Sequence, residues 1–216
     1  PQFIKKPISI TQLDLNSLNK GNMLNDAVIN SCLQYYFNEI DHTHIGFVNT
    51  FFYCKLVRDG PAAASQWLPC SRMDTYSHFL IPIELHGHWF LVDLDFNYLF
   101  INIYDSLRDP PRRTKVADNI RSFLSYHGIK ERMMIKHPTV PKQFNNVDCG
   151  AFLLRYAYSI FLFQRVDRAF FNSQSILTFR QSLYKILLEF CSDGDKENDV
   201  EEIDDPDIVE IKSINS

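Results

Sequence analysis

Between residues 79 and 104 the chain runs through three short stretches, 79–85, 88–96 and 99–104, rich in β-branched and aromatic residues. Turn residues, Gly87 in the first gap and Asn97-Tyr98 in the second, separate them. Apolar runs this short, with turn residues this close together, have room for strands but not for helices, so they predict a strand meander. The rest of the chain must pack around it. Upstream, Asp14-Leu15-Asn16-Ser17-Leu18 forms a short turn-forming stretch, and Asn25 or Asp26 can cap a helix reaching about Glu39. Along that helix Val28, Ile29, Cys32, Leu33, Tyr36 and Phe37 recur at three- and four-residue steps and make an apolar face. Downstream, the spacing predicts a helix over 112–127, stopped by Gly128, then a strand over 132–137. A strongly apolar helix over 151–163 and a last one over 175–191 follow. Helices at both ends with strands clustered between them make the fold class α+β.

Charge marks the boundary of this body. The formal net charge of -4 hides an uneven distribution. From Asp193 to the end there are ten acidic residues against Lys196 and Lys212, a net of -8, while residues 1–192 carry +4. The reading is a folded domain over 1–192 and an acidic, disordered tail over 193–216, whose composition cannot repay the entropy of ordering. Five cysteines at irregular spacings, with no C-x-x-C pair, point to reduced thiols and an intracellular setting. The run 151–163 is interrupted by Arg155 and too short for a bilayer, and no N-terminal stretch reads as a signal peptide, so no membrane is expected. The chain opens on Pro1 and not Met, as an excised piece would.

Chemistry concentrates in Gln143-Phe144-Asn145-Asn146-Val147-Asp148-Cys149-Gly150, a polar loop ending where an apolar helix begins. A thiol at a helix N-terminus sits beside unpaired N–H groups and the positive end of the dipole, which favour the thiolate. The bland alternative is a small buried residue packing the helix start. Gly150 permits close backbone approach, and the Gln143 amide can loop back to donate to a developing oxyanion. A cysteine nucleophile also needs a base and a group to orient it. His88 opens one strand and Asp105 closes another, so adjacent strand ends can bring the two together. His86, two residues away on the same face of an extended chain, competes with His88, and spacing does not separate them.

Other readings are weaker. The pairs His42-x-His44 and His86-x-His88 lack cysteine or acidic partners at metal-ligand spacing, so no metal or cofactor is expected. Arg108, Arg112, Arg113, Lys115 and Arg121 form a basic stretch without the aromatic interleaving of a nucleic-acid platform. No nucleic-acid partner is expected; a solvated helix face or a dock for an acidic protein surface fits better.

In order along the chain, Asp14-Leu15-x-x-Leu18, Leu24-Asn25-Asp26-x-Val28-Ile29-Asn30, Trp67, Pro82-Ile83, His88-Trp89, Tyr104-Asp105-Ser106 and Gln143-x4-Asp148-Cys149-Gly150 stand as successive motifs. Together they resemble the Ulp/SENP cysteine proteases that process SUMO and related ubiquitin-like proteins, over about residues 9–190. The resemblance implies a papain-like fold of the Ulp/adenain type, with a central mixed sheet flanked by helices. It implies cleavage after a C-terminal Gly-Gly, from a precursor tail or from a target lysine, and a nuclear location. Cys149 would be the nucleophile, His88 rather than His86 the base, Asp105 its orienting group and Gln143 an oxyanion donor. Trp89 would cover the extended end of the substrate, with Trp67 a further contact, while Asp26 and Asn30 would meet the ubiquitin-like surface. One departure concerns Met23, where the family carries Trp. With Trp89 that Trp forms a narrow tunnel, and Met23 would line a looser one. An inactive ubiquitin-like-binding module and an acyltransferase using the same triad are the competing functions. In the tail, Ile208, Val209 and Ile211 resemble a SUMO-interacting strand, a possible second SUMO contact against the default of a plain solvated tail.

Overall fold

The structure is a computed structural model that describes residues 10–40, 43–68, 72–108, 110–129, 133–166 and 173–197. Its elements in chain order are α1 (Gln12–Asn16), α2 (Asp26–Glu39), β1 (Ile45–Phe47), α3 (Phe52–Ser65), β2 (His78–Glu84), β3 (Trp89–Asp95), β4 (Phe100–Tyr104), α4 (Pro110–Tyr126), β5 (Met134–Lys136), α5 (Cys149–Phe163) and α6 (Ser173–Glu197). The five strands form one sheet in the order β1-β2-β3-β4-β5. The predicted meander is its centre: β2, β3 and β4 pair antiparallel, and β1 and β5 add in parallel at the two edges.

Alternation along these strands separates two cores. Phe79, Ile81 and Ile83 of β2, Phe90, Val92 and Leu94 of β3, and Ile101 and Ile103 of β4 face α3 and α4. Leu80, Trp89, Leu91 and Tyr104 face the other way, into a core built from α2, α5 and α6. The central strands are therefore covered on both sides, which is why they read as continuous apolar runs.

Two turns fix the geometry that matters later. At the β2–β3 hairpin, His86 (φ 55°) and Gly87 (φ 74°) both lie at positive φ, and the Leu85 N–H donates to the His88 carbonyl at 3.0 Å. This is the backbone of a two-residue type I′ turn, which matches the twist of the strands and locks Glu84 opposite Trp89. At the end of α4, Gly128 (φ 70°) lets its own N–H reach the Ser125 carbonyl and the Ile129 N–H reach that of Leu124, a Schellman stop.

Several elements differ from expectation. The stretch before Asn25 contains a true helix, α1, closed by a Thr11–Asp14 capping box. Strand β1 and helix α3 have no counterpart in the sequence reading. β1 is three residues long with a central glycine, and α3 is kinked at Gly60 (φ 82°) before Pro61, so neither carries a sustained period. Helix α6 runs past residue 192 to Glu197, and the tail from 198 onward, including Ile208, Val209 and Ile211, lies outside the described residues.

Candidate active site

The hairpin separates the two competing histidines. His86 occupies the turn and is exposed, whereas His88, immediately before β3, is buried. Antiparallel pairing of β3 with β4 brings the start of one strand beside the end of the other, and His88 Nε2 meets Asp105 Oδ1 at 2.8 Å. Asp105 is fully buried, and the same oxygen accepts the Leu107 N–H at 2.8 Å, so the carboxylate is fixed before it orients anything. The imidazole lies nearly parallel to the Phe90 ring, with centroids 6.1 Å apart. With Nε2 committed to Asp105, Nδ1 is the ring nitrogen left to face a substrate or thiol, and the Cys149 sulfur is near enough to favour the protonated ring.

Electrostatics keep this imidazole protonatable. Burial is the largest influence on His88 and presses its pKa down, but the Asp105 hydrogen bond and the Cys149 sulfur together outweigh it. The net direction is upward, toward an imidazolium flanked by a carboxylate and a sulfur. That is the charge distribution a thiolate nucleophile needs.

Cys149 is the first residue of α5, so its backbone N–H has no partner in the helix. The preceding loop is held from within. Asn145 Oδ1 accepts the N–H groups of Val147 and Asp148 at 3.0 Å each, and its Nδ2 donates to Asp148 Oδ2 at 2.7 Å. Gln143 is buried. Its Oε1 accepts from the Ser106 hydroxyl at 2.5 Å, and its Nε2 donates one hydrogen to the Asn145 carbonyl at 2.7 Å. An amide nitrogen carries two hydrogens, and the second, together with the Cys149 N–H, can serve an oxyanion. Ser106 therefore couples the loop carrying Gln143 to the strand end carrying Asp105.

One residue with a large structural part was missed in the sequence. Arg180 of α6 is 2% exposed and is the hub of the loop that leads into Cys149. Its Nε donates to Asp148 Oδ1 at 3.0 Å, and Nη2 donates to the carbonyls of Asn22 and Val147 at 2.9 Å each. Nη1 is shared among the carbonyls of Ser17, Leu18 and Asn19 at 3.2 to 3.5 Å. Burial lowers the guanidinium pKa, while Asp148 and the nearby Cys149 act in the opposite sense. The signal was present: Ile176, Phe179, Leu183 and Leu187 mark the buried face of α6, and Arg180 falls on it.

The remaining candidates separate into two groups. Trp89 is buried and donates its indole N–H to the Leu24 carbonyl at 2.8 Å, placing the segment before α2 against the strand that follows His88. Met23 is 41% exposed beside it, and Asp26 is half-buried at the start of α2. Asn30 is buried instead. Its Nδ2 donates to Thr50 Oγ1 at 3.0 Å and its Oδ1 accepts the Thr50 N–H at 2.9 Å, so both ends of the amide hold the β1–α3 loop. Trp67 follows α3, which covers the opposite face of the sheet; it is 42% exposed, with the Lys55 ammonium 5.7 Å from its ring centroid.

Among the described residues no group of three His, Cys, Asp or Glu side chains is placed to hold a metal ion. No helix among them is long and apolar enough to cross a membrane. Cys32, Cys54 and Cys149 are free thiols.

Known proteins resemble this chain in sequence and in fold. The model of the Ulp1 protease family, C-terminal catalytic domain, matches residues 22–194. Sentrin-specific protease 3 of Mus musculus is 30% identical over 186 residues, covering 82% of this chain and 32% of that protein. Sentrin-specific protease 5 of Homo sapiens is 29% identical over 185 residues, covering 82% of this chain and 24% of that protein. The chain thus spans a third or less of these two relatives. Among solved structures, a SUMO protease Ulp1 with its catalytic cysteine oxidized to a sulfinic acid superposes with a TM-score of 0.77 at 21% identity, covering 88% of this chain and 87% of that one. The C-terminal Ulp1 protease domain in complex with Smt3, the yeast ortholog of SUMO, gives 0.76 at 22% identity, covering 85% and 84%.

Proposed function

The chain belongs to the Ulp1 protease family, and on that premise we propose that it cleaves the bond after the C-terminal Gly-Gly of a ubiquitin-like protein, SUMO in first place. The observation that carries this reading is the His88 imidazole held between the buried Asp105 carboxylate and the Cys149 thiol at the first residue of α5. The reaction class is thiol-dependent acyl transfer to water, on an isopeptide bond to a target lysine or a peptide bond to a precursor tail.

The Cys149 thiolate attacks the glycine carbonyl while His88 holds the proton as imidazolium. Charge on the carbonyl oxygen is taken up by the Cys149 N–H and the Gln143 amide. As the tetrahedral intermediate collapses, the C–N bond breaks and His88 gives its proton to the departing amine. Water then attacks the thioester, losing a proton to His88 and releasing the carboxylate and the thiolate. Asp105 stays ionised throughout and stabilises the imidazolium. Trp89 and Met23 flank the approach to Cys149, and the half-buried Asp26 stands where the body of a ubiquitin-like protein would rest. Asn30 acts from behind that surface, through Thr50. The catalytic unit extends to the end of α6 rather than stopping at residue 192, within a reducing intracellular compartment.

Cys149→Ser is expected to abolish cleavage of a fluorogenic SUMO substrate while retaining SUMO binding. A SUMO carrying a C-terminal electrophile should label the parent chain and not the variant. Undiminished hydrolysis by Cys149→Ser would sink the assignment. Binding without labelling of the parent chain would identify an inactive module, and acetyl transfer from acetyl-CoA to a lysine substrate would identify an acyltransferase. A parallel series with NEDD8 and ubiquitin substrates tests the choice of modifier.

A further inference from the structure

The sheet face that carries Trp89 and Leu91 into the apolar core changes character toward its far end. The next residues on that face are Asp93 and Asp95 of β3, with His78 of β2 and Asn102 of β4 beside them, and all four are buried. They floor a cavity of about 470 Å³ that is also lined by Tyr104 and by the C-terminal end of α5. Cys149 begins α5 and Gln164-Arg165 at its other end line the cavity, so the helix separates the two sites by roughly 20 Å at 1.5 Å per residue. Apolar side chains at these floor positions would close the core without the desolvation cost of buried carboxylates.

The floor is only partly satisfied from within. Asp93 accepts from His78 Nδ1 at 2.9 Å and from Asn102 Nδ2 at 3.1 Å. Asp95 Oδ1 accepts the N–H groups of Asn97 and Tyr98 at 3.1 Å each. What remains is the second oxygen of Asp95, Asn102 Oδ1, the hydroxyl of Tyr104, which is 94% buried, and His78 Nε2. Among the described residues none of these four atoms has a hydrogen-bond partner. Two of the four only accept, one of them carries negative charge, and the tyrosine hydroxyl also accepts.

We propose that this cavity binds the basic side chain of a peptide segment, a lysine ammonium or an arginine guanidinium flanked by acidic residues. The donors of that cation match the unused acceptors of Asp95, Asn102 and Tyr104. Aromatic rings stand at the mouth: Tyr98 is exposed, and Phe100 already has the Lys136 ammonium 3.9 Å from its ring centroid, so this wall accommodates a cation. The exposed Lys136 and Arg165 on the rim supply the counter-charges for acidic neighbours in the same segment.

The test is an NMR titration of the full chain with N-acetyl-Glu-Arg-Glu-amide, N-acetyl-Glu-Lys-Glu-amide and the norleucine analogue, following the His78 ring resonances. At least one of the two basic peptides is expected to give a saturable shift with a Kd at least tenfold tighter than the norleucine peptide. Asp95→Asn, which keeps the oxygen that accepts from Asn97 and Tyr98, should weaken that peptide at least tenfold, and Tyr104→Phe several-fold. The comparison between peptides on the parent chain needs no variant to fold. No saturable shift with either basic peptide, or equal affinity for norleucine, would overturn the proposal, as would equal affinity of a folded Asp95→Asn variant.

Discussion

Replacing Arg180 by Met tests how the nucleophile loop is held. Methionine fills much of the same volume and is a good helix former, so the change removes the hydrogen bonds and the charge with little loss of packing. The shortest bonds lost are those to the Asn22 and Val147 carbonyls at 2.9 Å and to Asp148 at 3.0 Å. A fully buried carbonyl left unpaired costs about 1–3 kcal/mol, and these two sit toward the lower end because Asn22 is exposed and Val147 half-buried. The Asp148 side chain is 22% exposed and recovers part of its hydration, so its share falls below that of a fully buried partner. The longer bonds to Ser17, Leu18 and Asn19 share one nitrogen and add less. The expected destabilisation is therefore about 3–5 kcal/mol, a large part of the 5–15 kcal/mol typical of a domain. Arg180→Lys keeps a charge but replaces a planar fork with one point, which cannot reach Asp148, Asn22 and Val147 together; roughly half the loss is expected. Urea unfolding monitored by tryptophan fluorescence gives the stabilities. The rate profile of iodoacetamide alkylation at Cys149 reports the loop itself, because loss of the ties to Val147 and Asp148 should change how the thiol is presented. A folded Arg180→Met variant within 1 kcal/mol of the parent, with an unchanged alkylation profile, would refute the hub.

Gly150→Ala should be destabilising by about 1–3 kcal/mol, because the added methyl would stand 2.8 Å from Leu24 Cβ, an atom fixed to the backbone; thermal unfolding with no shift would contradict this close approach. Trp89→Phe should cost about 1–3 kcal/mol by leaving the Leu24 carbonyl unpaired, and kcat/KM on a SUMO substrate should fall even at temperatures where the variant is fully folded. For His78, burial presses the pKa down, but the hydrogen bond and charge of Asp93, with Asp95, outweigh it and raise the folded value. The protonated form is thus favoured in the folded state, so its stabilisation is full below the unfolded pKa of about 6.5 and is lost as pH rises through the folded value. The stability gap between the parent and His78→Asn should therefore shrink from pH 5.5 to pH 8.5 in urea unfolding; a gap that grows with pH would reverse the sign.

Legibility in the sequence followed the range of each interaction. The meander, α2, α4 and α5 were readable because their periods and stop signals are local, and Gly128 marks the end of α4 by the same rule in both readings. The place of Cys149 at the start of α5 was readable as a polar loop meeting an apolar helix. Which histidine meets Asp105 was not, because His86 and His88 share an extended face, and only the positive φ at His86-Gly87 turns one into a hairpin tip and the other into a strand start. Asn30 reads as a polar position on a helix; its burial depends on Thr50, twenty residues away. Arg180 reaches carbonyls more than 150 residues upstream, and no local pattern encodes such partners. Helix α3 was hidden by the Gly60-Pro61 step that kinks it.

The position of Met23 separates catalytic geometry from substrate fit. The residue that anchors this wall is its neighbour: the Leu24 carbonyl receives the Trp89 indole, and the Leu24 side chain lies where a methyl on Gly150 would fall. Arg180 holds the Asn22 carbonyl from the other side and Val147 with the same nitrogen. The segment 22–24 is thus tied both to the strand that follows His88 and to the loop that carries Cys149, whatever side chain stands at 23. Met23, exposed between these anchors, has no part in the hydrogen bond that joins His88 to Asp105 beside Cys149. Under the proposed function, a flexible thioether in place of an aromatic at that position would alter the wall a substrate meets and leave Cys149, His88 and Asp105 where their anchors place them. Under that function, the methionine at this position would bear on how a substrate is gripped more than on whether the thiol can be activated.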